Sequence, residues 1–371
     1  MAINKRLIKS NDEGGVATSF NTVLYTGNGT SQAITGVGFQ PDLVWIKNRT
    51  TTGYEHFWWD SVRGAGGNKD INSDSTNYEG EENTSAFGYL SSFDSNGFTL
   101  TSGTTSAVTI NRSSDNYAAW CWKAGGYANT FNVLENGSTT SSATAAGAGI
   151  TAGSITNGWS VSANRDAGFS VVSYTGNGTN ATIGHGLDVA PKFIITKSRT
   201  VAQNWAVYHY DLGVGKWLQL NGTPAAITEN LFGGVHPNST TFSLNGNTVV
   251  NSNGSTNIAY CFAEVAGFSK FGSYTGNGST DGPTITTGFE PAFVMLKRSD
   301  STGDWFMFDN KRNPTNNRNK FLKVNDSAAE ATGGVNDYVS FNADNFKLTS
   351  DPPSINGSGG TYIYMAFANQ F

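Results

Sequence analysis

The segment Tyr25-Thr-Gly-Asn-Gly-Thr30 occurs three times in this chain of 371 residues, returning at residues 174–179 and, with a final Ser, at residues 274–279. Four further blocks follow each copy in the same order, which makes the chain a candidate array of one repeated unit. In chain order the blocks are a proline-led strand (Pro41 to Lys47, Pro191 to Lys197, Pro291 to Lys297), an aromatic strand (His56 to Asp60, Trp205 to His209, Trp305 to Asp309), a Phe-x-Leu strand (Phe98 to Leu100, Phe242 to Leu244, Phe346 to Leu348) and a closing aromatic strand (Ala119 to Trp122, Ala259 to Phe262, Ile363 to Ala366).

The spacing of the copies sets the predicted domain boundaries. The second and third tyrosines are 274 − 174 = 100 residues apart and the first two are 174 − 25 = 149 apart, so an insert follows the first copy. The predicted division is an N-terminal arm (1–19), repeat one (20–125), an insert (126–166), repeat two (167–265) and repeat three (266–371). The insert is rich in Ser, Thr, Ala and Gly, which is typical of a linker or long loop. Its Phe131, Val133 and Leu134 could instead dock on a neighbouring domain.

The pattern within each repeat predicts an all-β fold, with three tandem β-sandwich or jelly-roll-like units. Apolar residues alternate or form short runs, and Gly-Asn and Asn-Gly turn signals separate them. Leu43-Val-Trp-Ile46 is apolar on both faces, as expected for a strand between two layers. The glycines and Asn of the Tyr-Thr-Gly-Asn-Gly motif suit a tight hairpin. Several short strands per hundred residues indicate a sandwich.

Composition excludes several classes of protein. The net charge is −5, from 23 basic and 28 acidic residues, so no positive stripe for nucleic acid is expected. The hydrophobic fraction of 37%, with 23 Phe and 9 Trp, argues against disorder. No apolar run spans a bilayer, and neither a signal peptide nor membrane insertion is expected. Cys121 and Cys261 occupy one repeat position, where repeat three has Met365, and are expected to be unbridged core residues.

Two features of the repeats have both a structural and a functional interpretation. The adjacent Trp58 and Trp59 could include one exposed ring for a sugar, but the aligned residues are all large and apolar, which favours core packing. Trp58 is kept as a candidate ligand-binding residue. The lysines that end the long strand, Lys47, Lys197 and Lys297, occupy one register. Their expected partner is an acid on the neighbouring strand, such as Asp60 or Asp309, or they form a solvated strand end.

Two loops could bind ions. Asp70, Asn72, Asp74 and Glu81 have the oxygen-ligand spacing of a calcium loop, although Ser75 stands where such a loop needs Gly. The alternative is a solvated acidic loop and no cofactor. The equivalent loop of repeat three is basic and could meet an anionic glycan, a lipopolysaccharide phosphate or an acidic subunit surface. Its candidate binding residues are Lys311, Arg312, Arg318 and Lys320.

The sequence contains little sign of catalysis. The four histidines lack metal-ligand spacing, and there is no nucleophile elbow or phosphate loop. A glycosidase needs two carboxylates that flank its bond, and no acidic pair recurs among the repeats. The prediction is therefore that the protein is not an enzyme.

The order of motifs resembles tandem domains of tail and fibre-like virion proteins from marine and cyanobacterial bacteriophages. The resemblance covers residues 18–371 and is strongest at Gly38 to Arg49 and Trp58 to Gly64. It implies a β-sandwich structural protein at the virion surface, made in the host cytoplasm. The short arm at residues 1–20 departs from fibres that carry a long shaft.

The resemblance leads to three functional hypotheses. The first is a tail-fibre or receptor-binding protein that contacts a host surface polysaccharide or lipopolysaccharide, bound to other virion proteins as a homo-oligomer, with a trimer as the first expectation. Avidity would let weak sites suffice. The second is a capsid decoration or other tail structural protein without a ligand. The third is a surface glycan depolymerase.

Overall fold

A computed structural model describes residues 19–106, 108–132, 145, 148–333 and 338–369, and the chain is all-β as predicted. The predicted N-terminal arm lies, except for Ser19, outside these residues. Each repeat places its closing strand and its proline-led strand side by side in the centre of a large sheet. Both strands are apolar on both faces because both faces are covered.

Repeat one forms a five-stranded sheet, ordered β1-β8-β3-β4-β5, and a three-stranded sheet, ordered β2-β7-β6. A short helix, α1 (Thr84–Phe87), precedes β6. The strands are β1 (Phe20–Thr26), β2 (Gln32–Thr35), β3 (Leu43–Asn48), β4 (His56–Asp60), β5 (Ile71–Asn72), β6 (Tyr89–Asp94), β7 (Gly97–Thr101) and β8 (Asn116–Trp122).

Repeat two and the insert form an eight-stranded sheet, ordered β16-β15-β14-β13-β18-β11-β10-β9, with the two-stranded sheet β12-β17. A 3-10 turn covers Tyr210–Leu212 and α2 covers Thr248–Asn251. The strands are β9 (Thr130–Asn132), β10 (Ser160–Asn164), β11 (Phe169–Thr175), β12 (Ala181–Gly184), β13 (Phe193–Ser198), β14 (Ala206–His209), β15 (Lys216–Gln219), β16 (Ile227–Thr228), β17 (Thr241–Leu244) and β18 (Thr256–Phe262).

Repeat three forms a six-stranded sheet, ordered β19-β27-β21-β22-β23-β24, and a three-stranded sheet, ordered β20-β26-β25. Helix α3 (Pro353–Asn356) precedes the closing strand. The strands are β19 (Ser269–Thr275), β20 (Thr284–Thr286), β21 (Phe293–Arg298), β22 (Trp305–Asp309), β23 (Lys320–Lys323), β24 (Ala331–Thr332), β25 (Val339–Asn342), β26 (Asn345–Leu348) and β27 (Thr361–Phe367).

The insert is not only a linker. Residues 130–132 pair in parallel with residues 162–164, which in turn pair with β11, so the insert extends the second large sheet by two strands. Phe131 is fully buried in the core of repeat two. The linker prediction is wrong for these strands, and the docking of Phe131 is confirmed. Val133 and Leu134 lie outside the described residues.

Each large sheet buries its two faces against different neighbours. In repeat one, alternate residues such as Val44, Ile46 and Trp59 pack against the small sheet. The residues between them, including Trp45 and Trp58, belong to a second cluster that also contains side chains of repeats two and three. The sandwich of each repeat is therefore one layer of a larger assembly.

The second cluster shows that the repeats pack around a common centre. Strand register makes Trp122, Phe262 and Phe367 equivalent, since they face Leu43, Phe193 and Phe293. Their three ring centroids are 6.3, 5.8 and 5.9 Å apart and form a triangle. The expectation of three separate bodies is wrong, because the outer faces of the large sheets are apolar and cover one another.

The ends of this assembly differ, and we name them here. The base is the end of the large sheets at which Leu43, Phe193 and Phe293 lie, and the apex is the opposite end. The first described residue, Ser19, and the connection at residues 263–268 lie at the base, because β1 and β19 start there. The Tyr-Thr-Gly-Asn-Gly loops lie at the apex.

The Tyr-Thr-Gly-Asn-Gly motif forms a connection between sheets and not a tight hairpin. In repeat three Tyr274 donates its buried hydroxyl to the carbonyl of Ile355 at 2.7 Å. The side chain of buried Asn356 accepts from the Asn277 amide at 2.9 Å and donates to the carbonyl of Ser279 at 2.8 Å. Equivalent bonds occur in the other two repeats. The motif is therefore a loop that runs from the large sheet to the small one and is held in place by these hydrogen bonds.

The closing strand of repeat three is shifted by one residue from the sequence alignment. Phe367 occupies the position of Trp122, so Ala366 and not Met365 is equivalent to Cys121 and Cys261. Both cysteines are free and buried, and burial raises the pKa of each thiol. The predicted unbridged core role is confirmed.

Candidate functional site

The three register-equivalent lysines, Lys47, Lys197 and Lys297, are fully buried and join neighbouring repeats. Each ammonium donates to backbone carbonyls of its own repeat and of the next. The bonds between repeats run from Lys47 to Ser327 (3.1 Å), from Lys197 to Thr76 (3.0 Å) and from Lys297 to Thr223 (3.3 Å). Burial lowers their pKa values to about 8, 7 and 8, respectively. We call them the core lysines.

The predicted acidic partners of the core lysines are wrong. Antiparallel register places Asp60 opposite Leu43, at the base, whereas Lys47 lies opposite His56 near the apex. Asp60 instead accepts from Arg63 at 2.5 Å, and Asp309 accepts from Arg312 at 2.5 Å. The lysines are not solvated strand ends either.

A second set of hydrogen bonds follows the same cyclic order. Position 56 and its equivalents, 205 and 305, each direct a ring nitrogen at a strand carbonyl of the next repeat. These contacts join Trp205 to Asn72 (2.7 Å), Trp305 to Gln219 (2.8 Å) and His56 to Lys323 (2.9 Å). Burial lowers the pKa of His56 well below its usual value, so the neutral ring accepts from Trp45 at Nδ1 and donates from Nε2. Repeat two thus binds one, one binds three, and three binds two.

Each of these three contacts is heterologous, which means that it joins two different surfaces of the repeat. The three contacts therefore close a ring with approximate threefold symmetry. We call the contacts seam 2–1, seam 1–3 and seam 3–2. At seam 2–1, Glu79 accepts from Arg199 at 2.5 Å and lies 3.8 Å from Arg63. Although burial opposes ionisation of Glu79, the two arginines hold its pKa below the usual range. Tyr260 also donates to Asp60 across this seam at 2.8 Å.

Seam 1–3 has the same charged network. Glu330 accepts from Arg49 at 2.9 Å and from Arg312 at 3.1 Å. Trp120, the equivalent of Tyr260, donates to Asp309 at 3.1 Å. The equivalence extends to the backbone, because Glu79 N donates to the Arg199 carbonyl and Glu330 N to the Arg49 carbonyl.

Seam 3–2 has lost every member of this network. Ala226 N donates to the Ser299 carbonyl at 2.8 Å, which places alanine and serine where the other seams have glutamate and arginine. Leu212 replaces Arg63, and His209 replaces Asp60. Removing all members together avoids leaving a buried charge without a partner.

Trp58 is a buried core residue and not an exposed platform for a sugar. Its side chain is 1% exposed and packs against Trp45, Trp205 and Tyr260. It therefore joins repeats one and two, which agrees with the core interpretation of this position.

The basic loop of repeat three does not present its four cations together. Arg312 is buried against Asp309 and Glu330, and Arg318 is buried with its guanidinium 4.2 Å from the centre of the Phe341 ring. Lys311 is exposed and Lys320 is half-buried on β23. The prediction of a four-residue anionic-ligand site is wrong, because two of its members are structural.

The predicted calcium ligands do not converge. Asp70, Asn72 and Asp74 are largely buried and have separate contacts. Asp70 accepts from the Thr84 hydroxyl, Asp74 accepts from the His56 amide, and Asn72 pairs with β4. Glu81 is exposed and accepts from the Tyr78 amide. Within the described part of the chain, no three His, Cys, Asp or Glu side chains are placed to share a metal ion.

One buried carboxyl at the base of repeat one has a strongly shifted pKa. Burial raises the pKa of Asp42 to about 7, and Ser61 and the amides of Ala124 and Gly126 are its hydrogen-bond donors. These bonds tie the base of repeat one to the start of the insert. This carboxyl is a structural anchor.

Sequence reasoning missed two features of repeat two. Tyr210 is exposed and stacks on His236 with centroids 4.3 Å apart. At the apex, residues 154–157 of the insert cover the Thr175-Gly-Asn177 loop. The sequence contains a signal for the second feature, because only repeat two is preceded by a long insert.

The fold and its seams define an all-β protein in which three similar layered units close into one ring. A family model, described as a domain of unknown function (DUF7483), matches residues 16–370, and the chain belongs to this family. Its match spans all three repeats. No curated protein and no solved structure matches the chain. Among the described residues, no helix has the length and apolar character to cross a membrane.

Proposed function

We propose that the protein is a bacteriophage virion structural protein of the tail-fibre or receptor-binding type, which contacts a host surface glycan. The observation that carries the proposal is the difference between the two ends of the ring. The described chain enters at the base, whereas the three motif loops at the apex, residues 26–31, 175–180 and 275–280, contain no charged residue. The base is the end for attachment to other virion proteins, and the apex faces outward.

The buried chemistry supports a structural and not a catalytic role. Lysines, arginines and acids with shifted pKa values lie in the seams and hold repeats together, as described for Lys197 and Glu79. Approximate threefold symmetry also suits attachment to a partner with local threefold symmetry. This second point favours the alternative of a capsid or tail structural protein equally.

Adsorption competition tests the proposal. Purified full-length protein added to host cells before infection is expected to reduce phage adsorption in a dose-dependent manner, and heat-unfolded protein is the control. Gold labelling of particles, viewed by electron microscopy, is expected to place the protein on the tail. Label on the head with no competition would favour the capsid alternative, and no label on particles would refute the virion proposal.

A further inference from the structure

The apex of repeat two contains a cavity of about 250 Å³ that is lined only by neutral residues. One wall is the insert segment Ser154 to Asn157, and the other consists of Thr175 to Asn177 with Asn253 and Gly254. The buried side chain of Ile155 supplies an apolar contribution to the lining. The lining contains no acid and no base.

The wall from the insert is held in place by hydrogen bonds. Thr175 N donates to the Asn157 carbonyl at 3.0 Å, and Ser154 exchanges bonds with Thr182 at 2.8 and 2.9 Å. The cavity is therefore formed before a ligand arrives, which reduces the entropy lost on binding. Repeat three cannot form it, because only residues 263–268 connect β18 to β19.

Several polar groups of the cavity are available to a ligand. Within the described chain, the side chains of Thr156, Asn157 and Asn253 make no hydrogen bond to protein, and all three are exposed. The Asn177 side-chain oxygen accepts from Thr179 N, and its amide nitrogen has no protein partner within the described residues. In repeat three the equivalent nitrogen, on Asn277, donates to the Asp281 carbonyl at 2.9 Å.

We propose that this cavity binds one residue of a neutral saccharide. Amides and hydroxyls offer both donors and acceptors, which match sugar hydroxyls, and Ile155 can contact a C–H face of the ring. Anionic sugars are disfavoured because no cation lines the cavity to offset desolvation of their charge. The inference deepens the proposed glycan contact and rests on it for its biological meaning, but the binding itself does not require a virion.

The test uses full-length protein and a set of immobilised neutral hexose and N-acetylhexosamine oligosaccharides, with sialylated and sulfated oligosaccharides for comparison. Binding is measured by biolayer interferometry. Wild-type protein is expected to bind at least one neutral oligosaccharide, and Asn253→Tyr, which fills the cavity mouth, is expected to weaken binding at least tenfold. The matched control is Ser358→Tyr, because Gly178 approaches Asn253 as Gly278 approaches Ser358 and no insert precedes repeat three to supply the second wall.

Each outcome decides the inference. Binding of charged oligosaccharides only, binding that Asn253→Tyr leaves intact, or equal loss in Ser358→Tyr would overturn it, as would no neutral binding at all. Asn157→Ala, which leaves the backbone bond to Thr175 in place, gives a second and milder variant with an expected loss of about threefold, near 0.7 kcal/mol. Adsorption competition without saccharide binding would refute the cavity and leave the proposed function standing. Saccharide binding without adsorption competition would support the cavity and refute the proposed function.

Discussion

Glu79→Ala tests whether the charged seams behave as units. The substitution leaves Arg199 and fully buried Arg63 without the carboxylate that they share. Breaking a buried ion pair costs about 3–5 kcal/mol. Because Arg199 keeps partial access to water and Asp60 still pairs with Arg63, we expect a smaller loss of about 2–4 kcal/mol.

Seam 3–2 supplies the matched comparison. Transplanting its neutral set into seam 2–1 requires Asp60→His, Arg63→Leu, Glu79→Ala and Arg199→Ser together. This variant leaves no unpaired charge in the network, so we expect it to lose less than half as much stability as Glu79→Ala alone, despite carrying four changes. Strong non-additivity of this kind is the signature of contacting residues.

The assay is equilibrium urea unfolding monitored by tryptophan fluorescence, since the ring centroids of Trp58 and Trp205 lie 5.2 Å apart in seam 2–1. Lys347→Ala, which removes an exposed ion pair with Asp281, is the control and should leave the midpoint unchanged. If the quadruple variant lost as much stability as Glu79→Ala, the proposed equivalence of the seams would be wrong. A loss below about 1 kcal/mol for Glu79→Ala would show that the network is not coupled.

Three further predictions follow from the same contacts. The free energy of unfolding should rise between pH 8 and pH 9, because the core lysines have pKa values of about 7 to 8 when folded against 10.5 as the reference value, so the unfolded chain binds more protons there. Above pH 9 the thiols of Cys121 and Cys261 and the buried tyrosines oppose this rise, because burial raises their pKa values in the folded protein and the unfolded chain loses their protons first. Each lysine adds a slope of up to about 1.4 kcal/mol per pH unit in urea midpoints, and a flat profile would contradict their burial. Asn356→Ala should cost about 3 kcal/mol by the same assay, because several partners of a fully buried side chain lose their bonds, whereas Asn342→Ala at an exposed position should change little. A fragment of residues 167–371 should aggregate or bind a hydrophobic dye during gel filtration, because repeat one covers its central face, and a monodisperse fragment that binds no dye would show that the common core is dispensable.

The layered fold was predictable from sequence because alternation and turn residues depend on neighbours within one repeat. The run Leu43-Val-Trp-Ile46, apolar on both faces, also predicts a layer on each side, and the whole strand β3 is buried. What sequence did not identify was the second layer, which is the rest of the ring and not another sheet of the same repeat.

The roles of individual polar residues were predicted less well, because they depend on register. A lysine and an aspartate that lie on adjacent strands were expected to meet, yet Lys47 and Asp60 lie at opposite ends of the β3-β4 pair. The sequence places Arg312 and Arg318 in a basic loop, and only the fold shows that each is buried. The candidate cavity arises where the insert meets the motif, a contact between distant segments that no local pattern encodes.

The distribution of charges among the seams indicates which repeat could close a ring by itself. Repeat one carries both halves of the network, Arg49 for one seam and Glu79 with Arg63 for the other, whereas repeat two lacks the second half and repeat three lacks the first. We therefore expect a fragment of residues 19–125, once circular dichroism shows that it is folded, to form a homotrimer in sedimentation velocity at high concentration. Glu79→Ala should return it to a monomer, since Arg49 of one copy would lose its partner on the next. A folded monomer, or a trimer that survives Glu79→Ala, would refute this reasoning. The intact chain already uses these surfaces internally, so any oligomer of whole chains must form through other faces.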